Sequence, residues 1–101
     1  MKKIFLLCSA GMSTSLLVNK MKEAAKKQGC QYEITATSLA NLKEVQQQAD
    51  LILLAPQVRF DKERVEKAVK DVPVDIVDMV AYGMMDGEKV LNQAKKLLKD
   101  E

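Results

Sequence analysis

A chain of 101 residues with a formal net charge of +2 and 48% apolar residues can build one core but not a second module. Lysines and acids are interspersed, Arg59 and Arg64 are the only arginines, and aromatics are few, which argues against nucleic-acid partners. Histidine is absent, removing the commonest metal ligand and neutral-pH base, so no metal and no cofactor are expected.

The first strand is expected over Lys3–Leu7, an apolar run too short for a secretion signal and far short of the ~20 residues of a membrane span. One cytoplasmic domain over residues 1–101 is therefore expected. A helix follows from about Ser13 to Gln28, with Leu17, Met21, Ala24, Ala25 and Gln28 on its inner face and Gly29 as its stop. Tyr32–Thr37 alternates and is rich in β-formers, as in a half-buried or edge strand. Ser38 or Asn41 begins a short helix carrying Leu42, Val45 and Ala49. Leu51–Ala55 is continuously apolar, the mark of a strand covered on both faces, and Pro56 ends it. A third helix runs from about Phe60 to Lys70 with Val65, Ala68 and Val69 inward, and a fourth strand covers Val74–Val77. After a loop from Asp78 to Gly87, a last helix turns Val90, Leu91, Ala94, Leu97 and Leu98 to the core.

Strict alternation implies an α/β fold: a four-stranded parallel sheet with right-handed crossovers and helices on both faces. The natural order is 2-1-3-4, a small flavodoxin-like arrangement. Ligands then collect beyond the carboxyl ends of the strands, where the order reverses. Three segments converge there: Cys8 to Ser15, Ala55 to Arg59, and Asp78 to Gly87. A Cys8–Cys30 disulfide is excluded, because the first helix separates them by roughly 24 Å and disulfide Cα atoms lie within about 7 Å.

Cys8 stands where a strand ends and the small, hydroxyl-rich turn Ser9, Ala10, Gly11, Met12, Ser13, Thr14, Ser15 opens a helix. A thiol facing free backbone N–H groups and a helix N-terminus favours its thiolate, and the same place binds a phosphate dianion. Gly11 permits the close approach of a phosphate cradle, while Ser9, Ser13, Thr14 and Ser15 add hydroxyls. No Asp or Glu occurs from Met1 to Lys22, so no carboxylate consumes those donors. The plain alternative is a buried cysteine acting as a small hydrophobe.

A cysteine opening a loop of this length is similar to the low-molecular-weight tyrosine phosphatases, where Cys, five residues, Arg and Ser/Thr form the phosphate loop. Here Thr14 and Ser15 occupy the last two positions. Without the guanidinium that clamps the equatorial oxygens, hydrolysis of a phosphocysteine is slow. A long-lived phosphoenzyme is a carrier, whereas a phosphatase-like or arsenate-reductase-like enzyme is the competing reading.

The segment Leu7-Cys8-Ser9-Ala10-Gly11-Met12-Ser13-Thr14-Ser15-Leu16-Leu17 closely resembles the phosphocysteine loop of IIB components of bacterial sugar phosphotransferase systems (PTS), lactose/cellobiose/diacetylchitobiose family. Leu54–Phe60, Asp78, Tyr82-Gly83 and Asp86-Gly87 resemble that family's other two loops, with Ala55 standing where many relatives carry Gly. The resemblance implies that Cys8 accepts phosphate from a phosphohistidine of a IIA partner. It implies further that Ser9 to Ser15 cradle the group, which passes to a sugar, such as a β-linked disaccharide, moving through a membrane IIC permease. Donor and acceptor are expected to reach the same exposed sulfur in turn, so docking to both partners is expected to be transient.

Four residues have weaker claims. Gln57 reads equally as a phosphate- or partner-orienting amide and as a solvent-facing one; Arg59 reads as a rim residue. Tyr82 lines the site or belongs to an ordinary turn, and Asp78 is a hydrogen-bond acceptor behind the site or the polar end of a strand. Cys30 has no activating surroundings in the sequence and reads as incidental, while Met12 is a candidate partner contact.

Overall fold

Ile4, Leu6 and Leu7 are fully buried and Phe5 and Cys8 nearly so, which places β1 (Lys2–Cys8) inside the sheet. The computed structural model describes residues 1–9 and 12–100, without the side chains of Met12 and Ser13. In chain order β1 is followed by α1 (Met12–Gln28), β2 (Tyr32–Ser38), a 3₁₀ turn (Leu39–Asn41) and α2 (Leu42–Val45). Then come β3 (Leu51–Leu54), a 3₁₀ segment (Pro56–Asp61), α3 (Lys62–Ala68), β4 (Val74–Ile76), α4 (Met79–Gly83) and α5 (Gly87–Leu97).

All pairings are parallel and the strand order is β2-β1-β3-β4. Cys8 lies opposite Ser38 in one ladder, and Leu7 opposite Leu54 in the next. The four residues of β3 are wholly inaccessible, so both faces of the sheet are covered. Each such side chain contributes about 1.5–3 kcal/mol of burial. Helices α1 and α5 pack on each other over one face. The reversal of direction between β2 and β3 sends α2 and α3 to the other face.

Gly29 takes φ +71° and ends α1 as the sequence implies. Ser38 is the cap that starts the next turn, its Oγ accepting the Ala40 N–H at 3.1 Å; Asn41 makes no side-chain cap.

Several boundaries depart from the sequence expectation. β1 continues through Cys8 because β2 extends alongside it to Ser38, and β3 stops at Leu54. Phe60 belongs to the 3₁₀ segment that Pro56 initiates, so α3 begins later, at Lys62. Gln28 and Ala68, expected to face inward, are exposed. The expected loop between Asp78 and Gly87 holds α4, because the Asp78 carboxylate caps it by accepting the Ala81 N–H at 2.9 Å.

Candidate active site

The carboxyl ends of β1, β3 and β4 are level with one another. The Ala55 N–H donates to the Leu7 carbonyl and the Val77 N–H to the Leu54 carbonyl, each at 2.9 Å. Cys8 therefore ends β1 with Ser38 on one side and Ala55 on the other, at the point where the strand order reverses. Being the last strand residue rather than the first loop residue, Cys8 is only 4% exposed as a whole. The sequence led us to expect an exposed sulfur at this position, whereas the residue as a whole is nearly covered. Neither Cys8 nor Cys30 is in a disulfide.

Of the cradle expected over Ser9 to Ser15, Ala10 and Gly11 lie outside the described residues, as do the side chains of Met12 and Ser13. Ser9 and Ser15 are exposed, and Thr14 in the first turn of α1 is completely buried. The Thr14 hydroxyl shares a 3.3 Å hydrogen bond with the Tyr82 hydroxyl, and Gln57 Nε2 donates to the same Tyr82 oxygen at 3.4 Å. These bonds are long, but they join the three segments that the topology brings to this edge. Tyr82 sits on α4 with 8% exposure, so it packs into the site from a helix and not from a turn.

Arg59 is committed elsewhere. Its Nη1 donates to the Pro56 carbonyl at 2.8 Å, and its guanidinium lies 4.4 Å from the centroid of the Phe60 ring. Arg64 pairs with Asp61 at 3.3 Å, one turn away on the same segment. Asp78 is a structural acceptor: besides capping α4, its carboxylate lies 3.8 Å from Lys89 Nζ, and its own N–H donates to Gln93 Oε1 at 3.1 Å.

Two features were not foreseen from sequence. One is α4 itself, whose Met79 and Val80 are exposed apolar residues, as are Met84 just after it and Phe60 on the 3₁₀ segment. An Asp three residues before Ala81 was the available signal for that helix start. The other is Gln93, a polar residue among Val90, Leu91, Ala94 and Leu97 on α5, where an amide beside an apolar stripe marks a half-buried contact. A groove of about 740 Å³ runs between β4 and α5 along Ile76, Asp78, Lys89 and Gln93 and does not include Cys8. Among the described residues no group of His, Cys, Asp and Glu side chains is arranged to hold a metal ion, and no helix is long and apolar enough to cross a membrane.

Residues 3–93 match the family described as PTS system, lactose/cellobiose specific IIB subunit. The chain is 47% identical over 100 residues to the oligo-beta-mannoside-specific EIIB component of Bacillus subtilis, covering 97% of both chains. It is 46% identical over 104 residues to the galactose-specific EIIB component of Lactococcus lactis, covering 96% of both. Among solved structures, the cellobiose-specific phosphotransferase IIB component of Borrelia burgdorferi superposes with a TM-score of 0.79 at 40% identity, covering 98% of this chain and 93% of that one. A low-molecular-weight protein tyrosine phosphatase of Bacillus subtilis shares the fold with a TM-score of 0.67 at 14% identity, covering 98% of each chain. The strand order, the cysteine at its reversal and these likenesses agree: the chain belongs to the lactose/cellobiose-specific IIB subunit family of the sugar phosphotransferase system, whose members are sugar-specific phosphocarriers.

Proposed function

We propose that residues 1–101 act as one cytoplasmic IIB domain that carries phosphate on Cys8 between two partners. The Cys8 thiol attacks the phosphorus of a phosphohistidine on the IIA component; the P–N bond breaks, and the thiol proton ends on the departing imidazole. A hydroxyl oxygen of a sugar in the IIC permease then attacks the same phosphorus, the P–S bond breaks, and the hydroxyl proton ends on the released sulfur, restoring the thiol. Ser9 to Ser15 cradle the transferring oxygens through backbone N–H groups and hydroxyls, a pre-aimed field that serves both steps. The sugar is a β-linked disaccharide such as cellobiose, diacetylchitobiose or lactose, and docking to each partner is brief.

The observation that carries this reading is the position of Cys8 at the carboxyl end of β1, at the reversal of strand order and directly ahead of α1. Both arginines are engaged on the 3₁₀ segment and α3, in keeping with a site that stores phosphate instead of hydrolysing it. Incubation with phosphorylated IIA followed by intact mass and peptide mapping tests the assignment. One phosphoryl group is expected on the peptide carrying Cys8, none on Cys8→Ser, and an unchanged yield on Cys30→Ser. Phosphate acceptance by Cys8→Ser, or rapid release of phosphate from aryl phosphates by the chain alone, overturns it.

A further inference from the structure

The end of β4 is an exposed sheet edge, yet its outward backbone groups from Ile76 to Asp78 are taken by side chains. Asp75 Oδ1 accepts the Ile76 N–H at 2.8 Å. Gln93 Nε2 donates to the Ile76 carbonyl at 2.8 Å and to Asp75 Oδ2 at 3.3 Å, while Gln93 Oε1 accepts the Asp78 N–H at 3.1 Å. The amide of Gln93 thus does for β4 what a fifth strand's peptide group would do. Only an amide presents a donor and an acceptor side by side in this way.

What Gln93 holds is the root of α4. With its N–H fixed by Gln93, Asp78 accepts the Ala81 N–H on its carboxylate and the Tyr82 N–H on its carbonyl, both at 2.9 Å. A helix of five residues cannot hold itself in place, so its position is set by this anchor and by packing. Tyr82 then delivers its hydroxyl to Thr14 on α1 and to Gln57. The circuit closes, because α1 packs on α5, the helix that carries Gln93.

We infer that Gln93 is a positioning residue for phosphate transfer, fixing Tyr82 against Thr14 through Asp78; the inference rests on the carrier function proposed for Cys8. Loss of the Gln93 bonds frees the α4 root and lets the Tyr82 hydroxyl drift from the first turn of α1. A full ångström of misplacement in a reacting site costs about 10²-fold in rate. An indirect shift through one short helix is expected to cost about tenfold, the size of one or two lost hydrogen bonds.

Gln93→Met keeps the length of the side chain and removes both donor and acceptor; Gln93→Glu keeps the acceptor for Asp78 and sets a carboxylate against the Ile76 carbonyl. In the full chain, with phosphorylated IIA as donor, Gln93→Met is expected to lower kcat for Cys8 phosphorylation about tenfold with KM unchanged. Exchange of the Asp78 amide with solvent should accelerate and the Tyr82 ring resonances should shift. Adding Tyr82→Phe to Gln93→Met should lower kcat little further, since both act through one linkage. Wild-type kcat in Gln93→Met, or strictly additive effects in the double variant, overturns the inference. If Gln93→Met does not fold, Gln93→Glu is read by the same criteria. Should the wild-type chain accept no phosphate at Cys8, the carrier reading fails by itself, and the Asp78 exchange and Tyr82 resonances decide whether the linkage exists.

Discussion

Thr14 shows how one hydroxyl serves both packing and site. It is completely buried, and its partner is the Tyr82 hydroxyl reached from a segment 68 residues away. Thr14→Val keeps the shape and removes the partner, so it should lower the folding free energy by about 1 kcal/mol, read as a lower urea midpoint at constant slope. An unchanged midpoint would show the 3.3 Å contact to be energetically idle. At this scale the sequence singled out Cys8 as the candidate, because it stands between an apolar strand and an acid-poor helix start. Gln57 and Tyr82 could be named but not joined. Their meeting depends on the relative height of the β3 and β4 ends, which is fixed by the ladder and not by local composition. For Gln93 the helix period marked a half-buried amide beside the apolar stripe, but not its partner, because a side chain that imitates a strand's peptide group leaves no trace of the strand it bonds.

Among the elements, the helix pair over one sheet face depends on a missing side chain. Gly87 opens α5 directly against α1, and a Cβ there would run into the backbone and Cβ of Lys20. Backbone cannot step aside as a flexible chain end does. Gly87→Ala should therefore destabilise the protein by about 1–3 kcal/mol, the usual cost of overpacking, measured by chemical denaturation. An equal or raised midpoint would mean that the two helices slide apart freely. The order 2-1-3-4 was readable because apolar runs and helical periods alternate without interruption. The misread pieces were short: α4 spans five residues and the 3₁₀ segment six, less than the period needed for a pattern to emerge. Gln28 and Ala68 sit on the last turns of their helices, where the inner stripe has already rotated away from the sheet.

Over the whole molecule, the edge of the sheet opposite Cys8 is closed by a small polar latch. The Tyr32 hydroxyl donates to Asp100 Oδ2 at 2.7 Å, and Lys2 Nζ lies 3.7 Å from Asp100 Oδ1. Partial burial and then the Asp100 carboxylate push the Tyr32 phenol well above its ordinary value. Accepting the Tyr32 bond, and then the charge of Lys2, holds Asp100 below the usual carboxylate range. Because the folded carboxyl is the stronger acid, its contribution is present above the ordinary carboxylate range and is lost as pH falls through its depressed value. Because the folded phenol is the weaker acid, its contribution is intact below about pH 10 and is lost as pH rises beyond. Tyr32→Phe should flatten both limbs of a stability–pH profile measured by denaturant midpoints. A mutant profile that falls as steeply as the wild type at high pH would rule the latch out as their cause.

That latch also has a use in engineering. Lys2 Nζ reaches the Leu98 carbonyl at 3.4 Å, so these two residues meet about 20 Å, one strand length, from Cys8. A fluorescent tag or surface tether attached beside this latch stands a full strand away from whatever molecule approaches the other rim.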